Sequence, residues 1–290
     1  MIDFLISGSE GYLAKQLVKE LVGANKKLLT ISNYKQNKIK NITHVKSNML
    51  ENFYFKKKVN TILHMASKNV FTETSLNFNE FINSNIKTTI NLAEYAKKNG
   101  VKNFVLFSSL AVYGDANHKT IKTNSYSKNV NFYGLTKLAS EKILEEYRDC
   151  FNVYILRVPG VLGSKQVVPW PWLNEIRKKI AANKPINYFN PSKKFNSLTG
   201  IEDIKKIVLS IDKLNKNNQF KIYNFGANNS LNLKSILEMI KKKYNSKSRL
   251  ISKNSPKNSS IIDNEEIEKD LNIKLNSVKD ILCDYLKNNS

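Results

Sequence analysis

Short apolar runs alternate with longer amphipathic stretches along the first half of the chain, the pattern of parallel strands joined by crossover helices. Asp3-Phe4-Leu5-Ile6-Ser7 reads as a first strand and Tyr12 to Val22 as a helix closed by Gly23 at its C′ position. Lys27 to Ser32 predicts a second strand and Asn60 to Ala66 a third. Phe81, Ile82, Ile86, Ile90, Leu92, Ala93 and Ala96 recur at helical spacing, which predicts one helix from Phe78 to Lys98, stopped by Gly100. Phe104 to Ser108 is a fourth strand, Tyr133 to Arg148 a helix, and Val153 to Arg157 a fifth strand. Beyond Pro159-Gly160 the alternation loosens. Pro169-Trp170-Pro171-Trp172 reads as a loop, and Leu173 to Ala182 as a helix. Ile201 to Leu214 is a further helix, with Glu202 and Asp203 suited to its N-terminal dipole, then Lys221 to Phe225 is a short strand. Leu233 to Tyr244 is helical, Ser252 to Ser260 a polar loop, and helices at Glu265 to Leu271 and Val278 to Leu286 end the chain. The change of texture predicts a first domain over 1–163 and a mostly separate lobe over 164–290, from which residues near 200–226 return to the first sheet.

A chain of 290 residues can bury a full core, and 41% hydrophobic with 24% charged residues is ordinary for a globular protein. No apolar run approaches the ~18 residues of a membrane span, and the N-terminus turns at once into a glycine motif rather than a signal h-region; no membrane association and a cytoplasmic location are expected. Cys150 and Cys283 lie far apart, and His44, His64 and His118 form no ligand pattern with them, so no metal is expected. The formal charge is +23, yet only Arg148, Arg157, Arg177 and Arg249 are arginines. The lysines are spread over every helix, whereas nucleic-acid readers concentrate basic residues on one element with aromatics between them. No nucleic-acid partner is expected. The field favours anionic small molecules.

Gly8-Ser9-Glu10-Gly11-Tyr12-Leu13-Ala14 falls directly between the first strand and the first helix. Glycines there permit a tight turn and close approach of backbone to a pyrophosphate; the small third residue lets the helix pack, and the helix N-terminus offers free N–H groups. The loop predicts a dinucleotide site on a Rossmann-like, doubly wound parallel α/β sheet, with a smaller mixed α/β C-terminal substrate lobe. Sites for NAD usually carry an acid at the end of the second strand to bond the ribose hydroxyls. This chain has Ser32, followed by Asn33, Tyr34 and Lys35. Nothing repels a 2′-phosphate, and Lys35 or Lys38 can pair with one, so NADP is preferred over NAD. The alternative is that Ser32 simply bonds a ribose hydroxyl.

Tyr133-Gly134-Leu135-Thr136-Lys137 puts a phenol and an ammonium at i and i+4, on one helix face. The ammonium, together with an oxidised nicotinamide ring, is expected to lower the phenol from its usual value near 10 and equip Tyr133 as general acid or base. Lys137 can also bond the nicotinamide ribose. Ser109 follows the fourth strand at the sheet edge where ligands bind, and its hydroxyl can polarise the substrate oxygen.

These features resemble the extended short-chain dehydrogenase/reductase family, the NAD-dependent epimerase/dehydratase group. The resemblance is carried by the Gly8/Gly11/Ala14 loop, Leu63-His64-Met65-Ala66-Ser67, Asn85-Ile86 and the run Gly100 to Gly114. It continues through Tyr133/Lys137, Leu156-Arg157-Val158-Pro159-Gly160 and Gly200-Ile201-Glu202-Asp203-Ile204. It implies hydride transfer at a sugar carbon, usually of a nucleotide-activated sugar, with Ser109, Tyr133 and Lys137 catalytic. It implies cofactor contacts at Gly8, Gly11, Tyr12, Leu13, Ser32, Asn33, Lys35, Asn48, Met49, Met65, Ala66, Ser67, Asn85, Phe107, Tyr133, Lys137 and Pro159. Substrate contacts are implied at Ser109, Gly160, Trp172 and Asn196, and a homodimer by analogy.

Departures narrow the chemistry. Members that eliminate water carry an acidic pair right after the catalytic hydroxyl residue, where this chain has Leu110 and Ala111. A 4,6-dehydratase is therefore disfavoured, leaving an epimerase or a ketone reductase. Sugar-nucleotide epimerases often have Asn where Gly160 stands, Arg near Asn196, and a further Arg around Ser255 to Ser259, where Lys253 or Lys257 would have to serve without arginine's planar clamp. Trp170 and Trp172 suit either stacking on a base or sugar or packing within the lobe. The competing reading is a non-catalytic NADP-binding sensor on the same fold; such proteins typically lose the Tyr/Lys pair that this chain keeps.

Overall fold

The computed structural model describes residues 1–33, 41–51, 55, 57–68, 77–115, 118–163, 171–214, 218–254 and 260–288. The chain divides into two compact units. The first comprises Met1–Ala116, Tyr126–Val158 and Lys205–Tyr223; the second comprises Asn117–Ser125, Pro159–Ile204 and Asn224–Ser290.

In chain order the first elements are β1 (Ile2–Ser7), α1 (Tyr12–Gly23), β2 (Leu28–Ser32), β3 (Ile42–Lys46) and β4 (Val59–His64). Next come α2 (Phe78–Phe81), a π-helical segment (Ile82–Lys87), α3 (Thr88–Lys98), β5 (Asn103–Ser109) and a 3₁₀ turn (Leu110–Tyr113). They are followed by β6 (Thr120–Ile121), α4 (Phe132–Glu145), β7 (Asn152–Val158), β8 (Gly160–Leu162), α5 (Pro171–Ala181), β9 (Ile186–Phe189), β10 (Lys194–Phe195) and β11 (Leu198–Gly200). The chain ends with α6 (Ile201–Lys213), β12 (Phe220–Asn224), β13 (Leu231–Asn232), α7 (Leu233–Lys243), β14 (Leu250–Lys253), β15 (Ile261–Ile262), α8 (Glu265–Leu271) and α9 (Val278–Asn288).

Seven strands form the main sheet in the order β12-β7-β5-β4-β1-β2-β3, and the pairings from β7 through β3 are parallel. This is the doubly wound Rossmann-like α/β class expected. β1 sits centrally, with β2 on one side and β4 on the other, so strand order reverses there and a crevice opens beyond the strand C-termini. The register aligns Ser7 with His64 and Ser109 with Val158 at that edge. Both faces of the strands are covered, hence their near-continuous apolar runs; Leu5, Ile31, Ile62, Phe104 and Ile155 belong to one core layer with Leu92, Ala93 and Ala96 of α3. The second unit has its own core, in which Leu162, Leu198, Ile236, Ile240, Ile281 and Leu282 pack together.

Four local readings differ from the pattern. β3 was not expected: Ile42–Lys46 is a half-exposed edge strand, so it lacks the buried run that marks its neighbours. Gly23 is the last helical residue rather than C′; after the Ala24 cap, Asn25 takes the left-handed turn (φ 58°), a conformation asparagine tolerates through its short polar side chain. The helix expected over Phe78 to Lys98 is interrupted by the π segment. Pro171, expected in a loop, begins α5, where its missing N–H costs nothing. Among the described residues, no helix is long and apolar enough to cross a membrane, and no group of His, Cys, Asp or Glu could hold a metal ion.

Candidate active site

The first unit carries a cleft of about 420 Å³ at the crevice beyond β1, β2 and β4. Gly8, Gly11, Ser32, Asn33, Asn48, Met49, Met65, Ala66 and Ser67 line it, nine of the expected cofactor residues, joined by Glu10, Leu50, Lys68, Ser84 and Thr88, which the sequence reading did not single out. Gly8 has φ +69°, and a Cβ there would fall 2.5 Å from the Ala66 Cα, so β1 and β4 approach through a turn only glycine fits. Gly11 is the N-cap of α1 and has no side chain to cap its first turn. This glycine cradle with an uncapped helix start fits a pyrophosphate. Glu10 is occupied by an ion pair with Lys15 at 2.9 Å, and Lys68 pairs with Glu80.

Behind the cleft, a buried hydrogen-bond chain fixes its floor. The Ser7 hydroxyl accepts from the backbone N–H groups of Met65 (3.1 Å) and Ala66 (3.3 Å). Its own proton therefore goes to His64 Nδ1, 2.7 Å away, leaving the imidazole proton on Nε2 to donate to Thr89 Oγ1 at 2.9 Å. Burial first, and the Lys137 charge second, hold His64 down at about 3, consistent with that neutral tautomer. Thr89 in turn donates to the Asn85 carbonyl at 2.6 Å.

Asn85 sits buried in the π segment. Its carboxamide accepts from the Lys68 N–H (2.8 Å) and donates to the Lys68 carbonyl (3.1 Å) and Thr136 Oγ1 (2.9 Å). Thr136 donates to the Tyr133 carbonyl at 2.8 Å. Asn85 thus clamps the segment after β4 to the first turn of α4.

Asn131 caps α4 by accepting from the Gly134 N–H at 2.8 Å. A Cβ on Gly134 would lie 2.4 Å from the Ala111 carbonyl oxygen, so only glycine allows α4 to start against the turn that follows Ser109. That approach brings the expected three groups together. Ser109 and Ser67 are the side chains that bear on the Tyr133 phenol. The Lys137 ammonium lies 5.9 Å from the centroid of the Tyr133 ring and donates to the Phe107 carbonyl at 2.9 Å. Ser109 Oγ accepts from the Ala111 N–H at 3.1 Å and caps the 3₁₀ turn.

The titration of Tyr133 corrects an expectation. Its phenol is raised above 10, not lowered: burial outweighs the hydrogen bonds from Ser109 and Ser67 that favour phenolate. Lys137 is lowered to about 8 by its own burial, opposed by the Glu141 carboxylate, and remains mostly charged at neutral pH.

Other expected residues are placed elsewhere. Phe107 is buried and engages through its carbonyl. Tyr12 and Leu13 are half-buried in the first turn of α1 and are not among the cleft-lining residues. Pro159, Gly160 and Asn196 belong to the second unit. There the Asn196 carboxamide is buried and bonded to Ile262 at both ends, donating to its carbonyl at 2.9 Å and accepting from its N–H at 2.8 Å. This side chain staples the segment between β10 and β11 to β15 and has little left to offer a substrate. Lys35, Lys38, Trp170, Lys257 and the Trp172 side chain lie outside the described residues.

A glycine cradle on a doubly wound sheet, beside a Tyr/Lys pair on one face of α4 and Ser109 at the end of β5, defines a dinucleotide-binding enzyme of the extended short-chain dehydrogenase type. The family model described as "NAD dependent epimerase/dehydratase family" matches residues 4–226, and the chain belongs to that family. An uncharacterized UDP-glucose epimerase, YtcB, of Bacillus subtilis (strain 168) is 25% identical over 72% of each chain. A UDP-glucose 4-epimerase of Pasteurella multocida (strain Pm70) is 23% identical, covering 82% of this chain and 80% of its own. The structure of UDP-glucuronic acid 4-epimerase from Bacillus cereus in complex with NAD superposes with a TM-score of 0.82 at 18% identity, covering 99% of this chain and 97% of that one.

Proposed function

We propose that this protein binds a nicotinamide dinucleotide in the glycine cleft and inverts or reduces a carbon of a nucleotide-activated sugar, with Tyr133 as general acid/base. The observation that carries this reading is the convergence of Ser109, Tyr133 and Lys137 beside that cleft. The relatives named as UDP-sugar 4-epimerases support the substrate class.

In this reading Gly8, Gly11 and the amides opening α1 hold the pyrophosphate, Ser32 and Asn33 the adenosine ribose, and Asn48 and Met49 the base. A bound nicotinamide ring supplies reversible two-electron chemistry at the sugar carbon. Ser109 polarises the sugar oxygen. Tyr133, raised by burial, is neutral at pH 7 and holds the proton that a ketone oxygen needs on reduction. In the oxidative direction the charge on Lys137 and on an oxidised ring favours the phenolate. Leu110 and Ala111, in place of an acidic pair, leave nothing in that turn to pull an α-proton, which favours epimerisation or reduction over loss of water.

The test is incubation with UDP-hexoses, and with UDP-4-ketohexoses and reduced nicotinamide cofactor, read by NMR and mass spectrometry. The expected result is a C4 epimer at unchanged mass, or a reduced sugar with stoichiometric cofactor oxidation. A product lighter by one water would overturn the exclusion of dehydration, and no turnover with any nucleotide sugar would overturn the substrate class.

The cleft carries Ser32 and Asn33 at the end of β2 and no carboxylate there. We expect NADPH to bind more tightly than NADH, by roughly tenfold if one lysine pairs with the 2′-phosphate, since a charge-assisted bond contributes about 1.5 kcal/mol or more. A fluorescence titration showing NADH preference would remove that reading of Ser32 while leaving the catalytic one standing.

A further inference from the structure

Tyr133, Lys137 and Glu141 follow one another at four-residue spacing along one face of α4, and each engages a consecutive residue at the end of β5. Tyr133 meets Ser109, Lys137 donates to the Phe107 carbonyl at 2.9 Å, and Glu141 Oε1 accepts from the Ser108 hydroxyl at 2.5 Å. Glu141 and Arg157 are both buried. The guanidinium of Arg157, on β7, donates to Glu141 Oε2 from Nη2 (2.7 Å) and to Oε1 from Nε (3.2 Å). Its Nη1 donates to the Tyr113 hydroxyl at 2.7 Å, and the guanidinium carbon lies 5.0 Å from that ring's centroid.

Isolated, a buried carboxylate costs several kcal/mol, and a chain retains one where partners satisfy it or function needs its charge. Arg157 and Ser108 satisfy it here. The same carboxylate sits one helical turn beyond a buried ammonium whose one described hydrogen-bond acceptor is a neutral carbonyl. We propose that Glu141 is a positioning residue for the reaction: by bonding Ser108 and facing Lys137 it sets the end of β5 under Ser109 and keeps the Lys137 ammonium charged. This deepens the catalytic reading above and rests on it.

The groups facing Lys137 set the direction of the test. Tyr133 and Glu141 lie on its own helix, and His64 on β4 is neutral; Arg157 on β7 bonds Glu141 and Tyr113. Burial already brings Lys137 down to about 8, and Glu141 is the group that opposes this. Activity that needs the ammonium is present below that value and lost as pH rises through it. Replacing the carboxylate by an amide leaves Arg157 unneutralised and removes the opposing charge, so the Lys137 value falls and the alkaline limb moves to lower pH.

The experiment is the pH dependence of kcat/KM for the full chain with saturating dinucleotide and its sugar substrate, comparing wild type with Glu141→Gln, Glu141→Asp and Ser108→Ala. The expected result is an alkaline limb displaced downward by about one to three pH units in Glu141→Gln, the size of a nearby opposite charge. Glu141→Asp should lie between the two, and Ser108→Ala should lower kcat with its limb unmoved. A uniform drop at every pH, with the limb where wild type has it, is the result of a merely structural role and overturns the proposal. Should Glu141→Gln not fold, an unmoved limb in Glu141→Asp overturns it equally. Tyr133→Phe run in parallel separates the two claims. If that variant is dead while the limb stays put, only the role of Glu141 fails; if it is as active as wild type, the catalytic reading fails.

Discussion

Tyr133→Phe should lower kcat by roughly 10²–10⁴-fold, about 3–5 kcal/mol of transition-state stabilisation, the usual contribution of one positioned acid/base group. The substitution removes one oxygen and leaves the ring, its place over Lys137 and the Asn131 cap of α4 as they are. Dinucleotide affinity should stay within a factor of a few, because the glycine cradle and the Ser7–His64–Thr89 chain are untouched. Thermal stability should change little, by about 1 kcal/mol or less, because the phenol is only half-buried and its loss removes polar contact with Ser109 and Ser67 alone. Stopped-flow kinetics for the chemical step and a cofactor titration check the two halves. A variant that turns over at the wild-type rate would mean that the proton travels through another group.

The groups the sequence makes legible are those tied to local spacing. Gly8/Gly11 between a strand and a helix, Tyr133/Lys137 at i and i+4, and Ser109 at a strand end each follow from one-dimensional pattern, because strand ends and helix faces are themselves periodic. The sheet's central strands were legible for the same reason; β3 was not, since an edge strand such as Ile42–Lys46 is half exposed and carries no run of apolar residues. The π segment at Ile82–Lys87 is equally hidden, because one added residue barely disturbs a hydrophobic periodicity, and the bond from Asn85 in it to Thr136 is tertiary. Burial decided what spacing could not. From the motif alone the ammonium dominates and the Tyr133 phenol should fall; in the folded chain desolvation wins and it rises. Nothing in local spacing links Glu141 with Arg157; the fold pairs them. Asn196 looked available for a ligand until both ends of its amide were found on Ile262.

Gly8→Ala should remove dinucleotide binding and destabilise the fold together. Two costs add. At φ +69° an L side chain is strained by ~1 kcal/mol or more. The added Cβ would also fall 2.5 Å from the Cα and 2.6 Å from the nitrogen of Ala66, and both are backbone atoms that cannot rotate away. Relief requires β1 and β4 to part at their C-terminal ends, where Ser7 holds the Met65 and Ala66 amides through its hydroxyl. That movement breaks the buried contact to His64 as well. A destabilisation of roughly 2–4 kcal/mol is expected, with a Tm lower by roughly 3–7 °C for a chain of this size. Affinity for NADH and NADPH should fall by more than ~100-fold, since the cradle opens where the pyrophosphate must approach the backbone. Gly23→Ala is the matched control. Its Cβ meets nothing within 4 Å in the last turn of α1, so it should leave affinity unchanged and stabilise slightly, by ~0.5 kcal/mol. Differential scanning fluorimetry with and without cofactor reads both effects. Wild-type affinity in a folded Gly8→Ala protein would place the dinucleotide somewhere other than this cleft, and with it the catalytic role of Tyr133.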